Sequence, residues 1–314
     1  METILLVGGA GFIGSHLADK LVEGKYNVVV ADNLLLGRLS NIQHLLDSKS
    51  VSFIKADFSN FNEVDEIFKQ HKFDMVFHLA ANSDIKASEK NPKVDFDNTF
   101  LTTYNVLECM RRYGVKKLFF ASTSAIYGDK EGVGVNEDIG PLFPISYYGG
   151  AKLASEAFIA SYSFMNDIKC WIFRFPNVVG ERSTHGVIYD FINKLKTNPN
   201  ELVILGDGKQ SKPYLYVKDL VDAIFYIWNN CSDRINYFNI GVDSQTNVTT
   251  IANIVCEELG LTDVKKVYTG GTGGWKGDVP KFKYDLDKIH SIGWKARYTS
   301  DEAVRISVRR ILNK

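Results

Sequence analysis

The chain has 314 residues, 45% of them hydrophobic and 24% charged, which is enough for a large core and two lobes. Thirty-seven Lys and Arg balance 37 Asp and Glu, so no global field recruits nucleic acid or an anionic membrane, and any phosphate binding is local. No apolar run approaches a membrane span, and Cys109, Cys170, Cys231 and Cys256 lack CxxC or Cys/His spacing, so neither a membrane nor a metal partner is expected.

The chain opens METILLVGGAGFIG, an apolar strand feeding Gly8, Gly11 and Gly14, followed by Ile13, Leu17, Leu21 and Val22 at helical spacing. Gly8 allows a sharp turn off the strand, Gly11 lets backbone approach phosphate oxygens, and Gly14 lets the helix pack close to the strand. Strand, glycine turn and helix N-terminus in that order make a pyrophosphate site. A second strand over 26–31 ends in Asp32, placed to accept the ribose hydroxyls of a dinucleotide. Its charge repels a 2′-phosphate and favours NAD over NADP, a preference that Arg38 weakens slightly. The N-terminus reads as a strand with no basic signal region, the cysteines as reduced buried thiols, and the compartment as the cytoplasm. The Asn247-Val248-Thr249 sequon is then incidental.

Strand signals recur at 4–7, 28–31, 52–55, 75–79, 117–121 and 169–173 with helical patterns between them, which argues for a doubly wound parallel sheet. The fourth carries little charge and is expected at the centre. Asp57 lies near an adenine or caps a helix, both readings being open. His78 reads as a satisfied core histidine, and Ala80 and Ala81 as small residues where a cofactor passes the backbone. Asn98 begins a helix running to Arg112, as a cap or as a donor bridging the sheet. The strand ending Ser122-Thr123-Ser124 carries three hydroxyls that need partners, so one faces a ligand, unless Ser122 or Ser124 caps the strand end. Tyr148 and Lys152, four apart, share a helix face. A phenol with pKa of about 10 is a poor base, and an ammonium beside it favours the phenolate.

With GGAGFIG, Asp32, the HLAA tract at 78–81, Asn98, STSAIYG at 122–128, Tyr148/Lys152, RFPNVVG at 174–180, the tract 214–219 and GDVP at 277–280, nearly the whole chain resembles the extended short-chain dehydrogenase/reductase family. The likeness is to nucleotide-sugar epimerases of the UDP-galactose 4-epimerase type. It implies an α/β architecture, a doubly wound parallel Rossmann sheet over 1–174 with a return segment near 214–228. A smaller mixed α/β lobe over 175–314 would take the nucleotide sugar.

By the same resemblance Thr123, Tyr148 and Lys152 are the catalytic residues, Tyr148 as base. NAD would be held by Gly8, Gly11, Phe12, Ile13, Gly14, Asp32, Asn33, Arg38, Asp57, Phe58, Leu79, Ala80, Ala81, Asn98, Tyr148, Lys152 and Phe175. The sugar nucleotide would meet Ser83, Ser124, Ala125, Tyr148, Asn177, Val187, Lys212, Tyr214, Lys276 and Asp278, with Val203 and Leu205 flanking the base. A homodimer through the helices 98–112 and 149–164 is implied, with Phe158, Ile159 and Tyr162 compatible with that interface or with an intrachain core.

Departures from the family pattern sharpen the reaction. Dehydratases carry Glu where this chain has Ala125, and glucuronate 4-epimerases carry Thr and Arg at Asn177 and Thr184, which favours 4-epimerisation of a neutral UDP-hexose. Lys212 replaces a diphosphate-gripping Arg and loses its bidentate fork; Ser83 stands where some galactose epimerases have Lys; and Lys276 is the nearest cation to an Arg absent at 273–275. The alternatives are a 4-ketoreductase, a glucuronate 4-epimerase, or a non-catalytic NAD sensor, which would not need Thr123, Tyr148 and Lys152 together.

Overall fold

Alternating apolar strands and amphipathic helices build a seven-stranded sheet in the computed structural model, which describes residues 1–83, 87–130, 133–271, 279 and 281–314. The strands run in the order Ile235–Asn239, Lys169–Phe175, Lys117–Thr123, Met75–His78, Thr3–Val7, Asn27–Asp32, Val51–Lys55. All six expected strands are present, the fourth sits at the centre, and every pair from Val51–Lys55 across to Lys117–Thr123 is parallel. Strand order reverses between Thr3–Val7 and Met75–His78, so ligand-facing loops belong at the carboxyl ends of those strands.

The sheet is apolar on both faces because helices cover both. One face packs Leu5, Val7, Val29, Val76, Phe120 and Ile172 against Val64 and Phe68 of the helix Phe61–Gln70 and Leu107 of Thr102–Tyr113. The other carries an aromatic stack in which Phe119 lies between Phe77 and Trp171, at centroid distances of 4.1 and 4.5 Å. Trp228 meets Phe77 and Phe119 edge-on, so the return of the chain to this unit is anchored by a large aromatic surface.

The chain forms two compact units: Met1–Ile126 with Ser146–Arg174 and Ile224–Phe238, and Tyr127–Ile145 with Phe175–Ala223 and Asn239–Lys314. The segment returning to the first unit is Ile224–Phe238, where the sequence places it near 214–228, and it supplies the seventh strand. The second unit is built from short pairs, Asn177–Val179 with Tyr214–Tyr216 and Glu201–Ile204 with Lys265–Tyr268, together with the helices Val187–Thr197, Val248–Leu259 and Ser300–Ile311. Asn247 of the sequon caps Val248–Leu259 by accepting from the Thr250 N–H.

One expected element differs. The α-helix placed at 98–112 starts at Thr102, and Asn98 lies in a π-helical turn, Phe96–Leu101. The Thr102 and Thr103 hydroxyls both donate to the Thr99 carbonyl and compete with the regular ladder there. Asn98 is neither a cap nor a sheet bridge, since its Nδ2 donates to the Val94 carbonyl of its own helical turn.

Candidate active site

The glycine turn is a backbone cradle. Gly8 has φ +80°, and a Cβ there would lie 2.7 Å from the Ala80 nitrogen, so the loop after Met75–His78 rests directly on the turn. A Cβ on Gly14 would lie 2.2 Å from the Gly8 carbonyl oxygen. The helix Phe12–Glu23 begins at Gly11 with no side-chain cap and no acid in its first turn, which leaves its N–H groups and positive dipole end for an anion. Asp32 is buried at the end of its strand and accepts from the Ala10 N–H at 3.0 Å and the Leu34 N–H at 2.8 Å. These bonds fix the carboxylate while leaving each oxygen a further lone pair, as a ribose diol requires. Gly37 passes so close that a Cβ would be 2.7 Å from Asp32 Oδ1. The turn and Asp32 fit a dinucleotide. Arg38 is exposed, its N–H donating to Ala10, and Asn33 accepts from the Leu35 N–H.

Asp57 is not a helix cap. It accepts from the N–H and hydroxyl of Ser59 in a local turn, while Asn60 caps Phe61–Gln70 by accepting from the Asn62 N–H. The Phe58 side chain is buried in the core. His78 is only half satisfied. Thr103 gives its hydroxyl proton to Thr99, so His78 Nε2–H donates to Thr103 at 3.1 Å, and Nδ1 has no hydrogen-bond partner among the described residues. Burial and the nearby Lys152 charge push this imidazole down to about 3, so it is neutral.

Helix Tyr147–Asn166, capped by the Ser146 side chain on the Gly149 N–H, carries Tyr148 and Lys152 to the end of the strand Lys117–Thr123. Thr123 lies near enough to Tyr148 to lower its pKa, and its hydroxyl accepts from the Ala125 N–H at 3.2 Å. The Lys152 ammonium does not meet the phenol as the spacing suggested. It donates to the Ala121 carbonyl at 2.6 Å and lies 4.5 Å from the Phe120 ring centroid. Burial is the largest influence on Tyr148 and raises it above the ordinary phenol range, with the Asp95 carboxylate acting the same way and nearby Thr123 opposing. Lys152, 1% exposed, is driven down to about 7 by burial, with Glu156 and Asp95 pulling it back up. The chain's own groups therefore keep Tyr148 protonated, and a further positive charge is needed to release its proton.

Asp95 is a member of this cluster that sequence reasoning missed. It is buried, accepts from Asn82 Nδ2 at 2.8 Å and from Ser88, and its Oδ2 has no hydrogen-bond partner among the described residues. Its only signal was a carboxylate three residues before Asn98 in a polar stretch. Glu156 was missed as well, although it continues the 148/152 spacing by another four residues.

Ser124 and Ala125 lie half-buried on the turn Ser124–Tyr127 that follows Thr123, and Ser83 is exposed. In the second unit Asn177 sits opposite Tyr214 in a parallel pair, with half-buried Lys212 two residues before it. The Tyr214 N–H donates to Ser300 Oγ. Val203 and Leu205 are exposed on either side of buried Ile204, Val187 opens its helix, and Phe175 ends its strand half-buried. Lys276 and Asp278 lie outside the described residues.

A family model for the NAD dependent epimerase/dehydratase family matches residues 4–241. The chain is 34% identical over 307 residues to a Methanocaldococcus jannaschii protein named provisionally as a UDP-glucose 4-epimerase, covering 96% of each. It is 30% identical over 326 residues to UDP-arabinose 4-epimerase 1 of Arabidopsis thaliana, covering 95% of this chain and 76% of that one. A crystal structure of a UDP-galactose 4-epimerase superposes with TM-score 0.87 at 38% identity, over 100% of this chain and 99% of the other.

Proposed function

The chain belongs to the NAD-dependent epimerase/dehydratase family, and from that premise we propose that it interconverts UDP-glucose and UDP-galactose, or their N-acetyl forms, through a transient 4-keto sugar. The observation that carries the reading is the placement of Tyr148 and Lys152 on one helix at the carboxyl edge of the sheet, where the Lys152 ammonium donates to the Ala121 carbonyl at the end of the strand Lys117–Thr123. Ala125 argues for isomerisation over dehydration, because no carboxylate stands where removal of a C6 hydroxyl needs an acid.

When bound, NAD supplies a reversible acceptor for the C4 hydride and a positive charge. Gly8, Gly11 and Gly14 would hold its pyrophosphate and Asp32 its adenosine ribose, with Leu79 to Ala81 alongside and Lys152 on the second ribose. Tyr148 takes the proton of the C4 hydroxyl, Thr123 steers it, and Lys152 opposes the phenolate charge. Asn177, Val203, Leu205, Lys212 and Tyr214 would bind the nucleotide half, so that the hexose is held loosely enough to turn over. With the sugar turned over, Tyr148 would return its proton to the C4 oxygen as the hydride comes back from bound NAD to the other face of C4, with no net redox. Tyr148→Phe keeps NAD binding and loses turnover by about 10³-fold or more; substantial residual epimerisation in that variant refutes the assignment of the base.

The UDP-arabinose relative favours a second reading with a pentose substrate. Turnover of UDP-arabinose and UDP-xylose, followed by NMR at C4 beside the hexose pair, separates the two. For assembly, Phe96, Tyr104 and Phe158 form an exposed aromatic run, Phe158 packing edge-on to Phe100 at 5.1 Å, and this supports a homodimer through these helices. Ile159 is fully buried within its own chain and belongs to the core. A monomer by sedimentation at micromolar concentration would refute the dimer. Buried free thiols at Cys109, Cys170 and Cys256 fit a reducing cytoplasm, and reaction with maleimide only after unfolding tests that placement of the thiols.

A further inference from the structure

Two successive residues at the end of the strand Lys117–Thr123 are held by two members of the series Tyr148, Lys152 and Glu156, four residues apart on the helix Tyr147–Asn166. Lys152 donates to the Ala121 carbonyl and Ser122 donates its hydroxyl to Glu156, while Tyr148, first of the series, is influenced by Thr123. Glu156 is 6% exposed, and Arg174 of the neighbouring strand Lys169–Phe175 grips its carboxylate. Arg174 Nε donates to the two oxygens at 3.1 and 3.2 Å, and Nη2 donates to Oε2 at 2.7 Å. Arg174 is itself 7% exposed, its guanidinium 5.6 Å from the Tyr237 ring centroid. A buried pair of this kind contributes little net stability compared with apolar residues of the same volume, so its position one helical turn from Lys152 points to a role in the site.

Building on the reading in which Lys152 serves Tyr148, we propose that Glu156, fixed by Arg174 and Ser122, is a positioning residue that keeps the Lys152 side chain an ammonium and the strand end in register with Tyr148. Burial acts against that ammonium, and Glu156 and Asp95 are the carboxylates that act for it. Among the described residues, the other titratable groups around it do not substitute. Tyr148 on the same helix is protonated, and His78 from the strand Met75–His78 is neutral. Ala121, Ser122 and Thr123 carry no charge, and Glu89 and Lys90 of the short helix Ala87–Lys90 are exposed. Asp97 of the π-helical turn pairs with Lys93, and Glu108 of Thr102–Tyr113 is engaged by Arg111 and Arg112. Removing the Glu156 charge therefore brings the loss of the ammonium to lower pH, and the alkaline limb of turnover follows it.

The test is titration of the Lys152 Cε resonance in ¹³C-lysine-labelled holoenzyme, assigned by its disappearance in Lys152→Met, beside the pH profile of kcat. Glu156→Gln strands the Arg174 guanidinium in the interior, so the paired variant Glu156→Gln/Arg174→Met, which removes both charges, is measured with it. In Glu156→Gln the Lys152 midpoint falls by about 1 pH unit, a tenfold change in its protonation equilibrium, and in the double variant, which also loses a cation, it falls by less; in each the alkaline limb of kcat falls with it, and KM stays near wild type. An unchanged midpoint in the folded double variant, with activity following thermal stability alone, overturns the proposal and leaves Glu156 a structural residue. Full turnover in Lys152→Met would instead overturn the role given to Lys152, while the resonance still reports whether Glu156 sets its charge.

Discussion

A single methyl group at Gly14 is the sharpest probe of the phosphate cradle. In Gly14→Ala the new Cβ would stand 2.2 Å from the Gly8 carbonyl oxygen, 2.7 Å from Gly9 Cα and 3.0 Å from the Gly8 carbonyl carbon. All three are backbone atoms, so no side-chain rotation relieves the contact and the helix start must move off the turn by about 1 Å. Gly8 cannot retreat, because its N–H is held by the Ala31 carbonyl at 2.8 Å and the Ala80 backbone lies behind it. Overpacking of this kind costs about 1–3 kcal/mol. At about 2–4 °C of Tm per kcal/mol, the variant melts about 2–12 °C lower. Moving the helix N-terminus also weakens its grip on a pyrophosphate, and a loss of about 1.4 kcal/mol there is a tenfold loss of NAD affinity. Gly150→Ala is the control, since nothing lies within 4 Å of its Cβ, and in an exposed helical position the change stabilises by about 0.4–1 kcal/mol. Calorimetric unfolding with and without NAD, together with titration of NAD, reads both effects. Wild-type Tm and NAD affinity in Gly14→Ala would refute the close-packed turn.

Two further outcomes follow from buried charges. Lys152 has a folded value of about 7, below the unfolded value of about 10.4. The unfolded chain thus binds more protons between those values, and this residue makes stability rise with pH across that window. Lys152→Met removes that component, so urea unfolding from pH 6 to 10 shows a shallower rise in the variant, and parallel curves would contradict the burial of the ammonium. In Asp32→Asn, one acceptor oxygen and the negative charge are lost, so NAD binds about tenfold more weakly and discrimination against NADP narrows. Comparative titration of the two dinucleotides checks this, and an unchanged ratio would remove Asp32 from the ribose site.

Much of the fold could be read from the residues because it rests on local demands. The strand periods in the first half, the glycines at Gly8 and Gly14 and the four-residue step from Tyr148 to Lys152 are properties of short stretches. What escaped depends on tertiary contact. The seventh strand, Ile235–Asn239, joins the sheet only after the chain has passed through the second unit, and its anchor is Trp228 on Phe77 and Phe119. Asn98 falls in a π-helical turn because two neighbouring threonines bond back to one carbonyl. Spacing put the Lys152 ammonium on the face of Tyr148, but the Ala121 carbonyl and the Phe120 ring claim it. Asp95 and Glu156 matter through desolvation and through partners far away in the chain, which periodicity does not report.

The central claim is that the hydrogen at C4 leaves and returns to the same carbon with no external reductant. UDP-glucose deuterated at C4, incubated with the purified protein in light water and followed by NMR, tests this directly. The account predicts UDP-galactose that keeps its deuterium at C4, formed without added nicotinamide reductant, and no product from Tyr148→Phe. Deuterium lost to solvent, or conversion that proceeds only with stoichiometric NADH or NADPH, would contradict it.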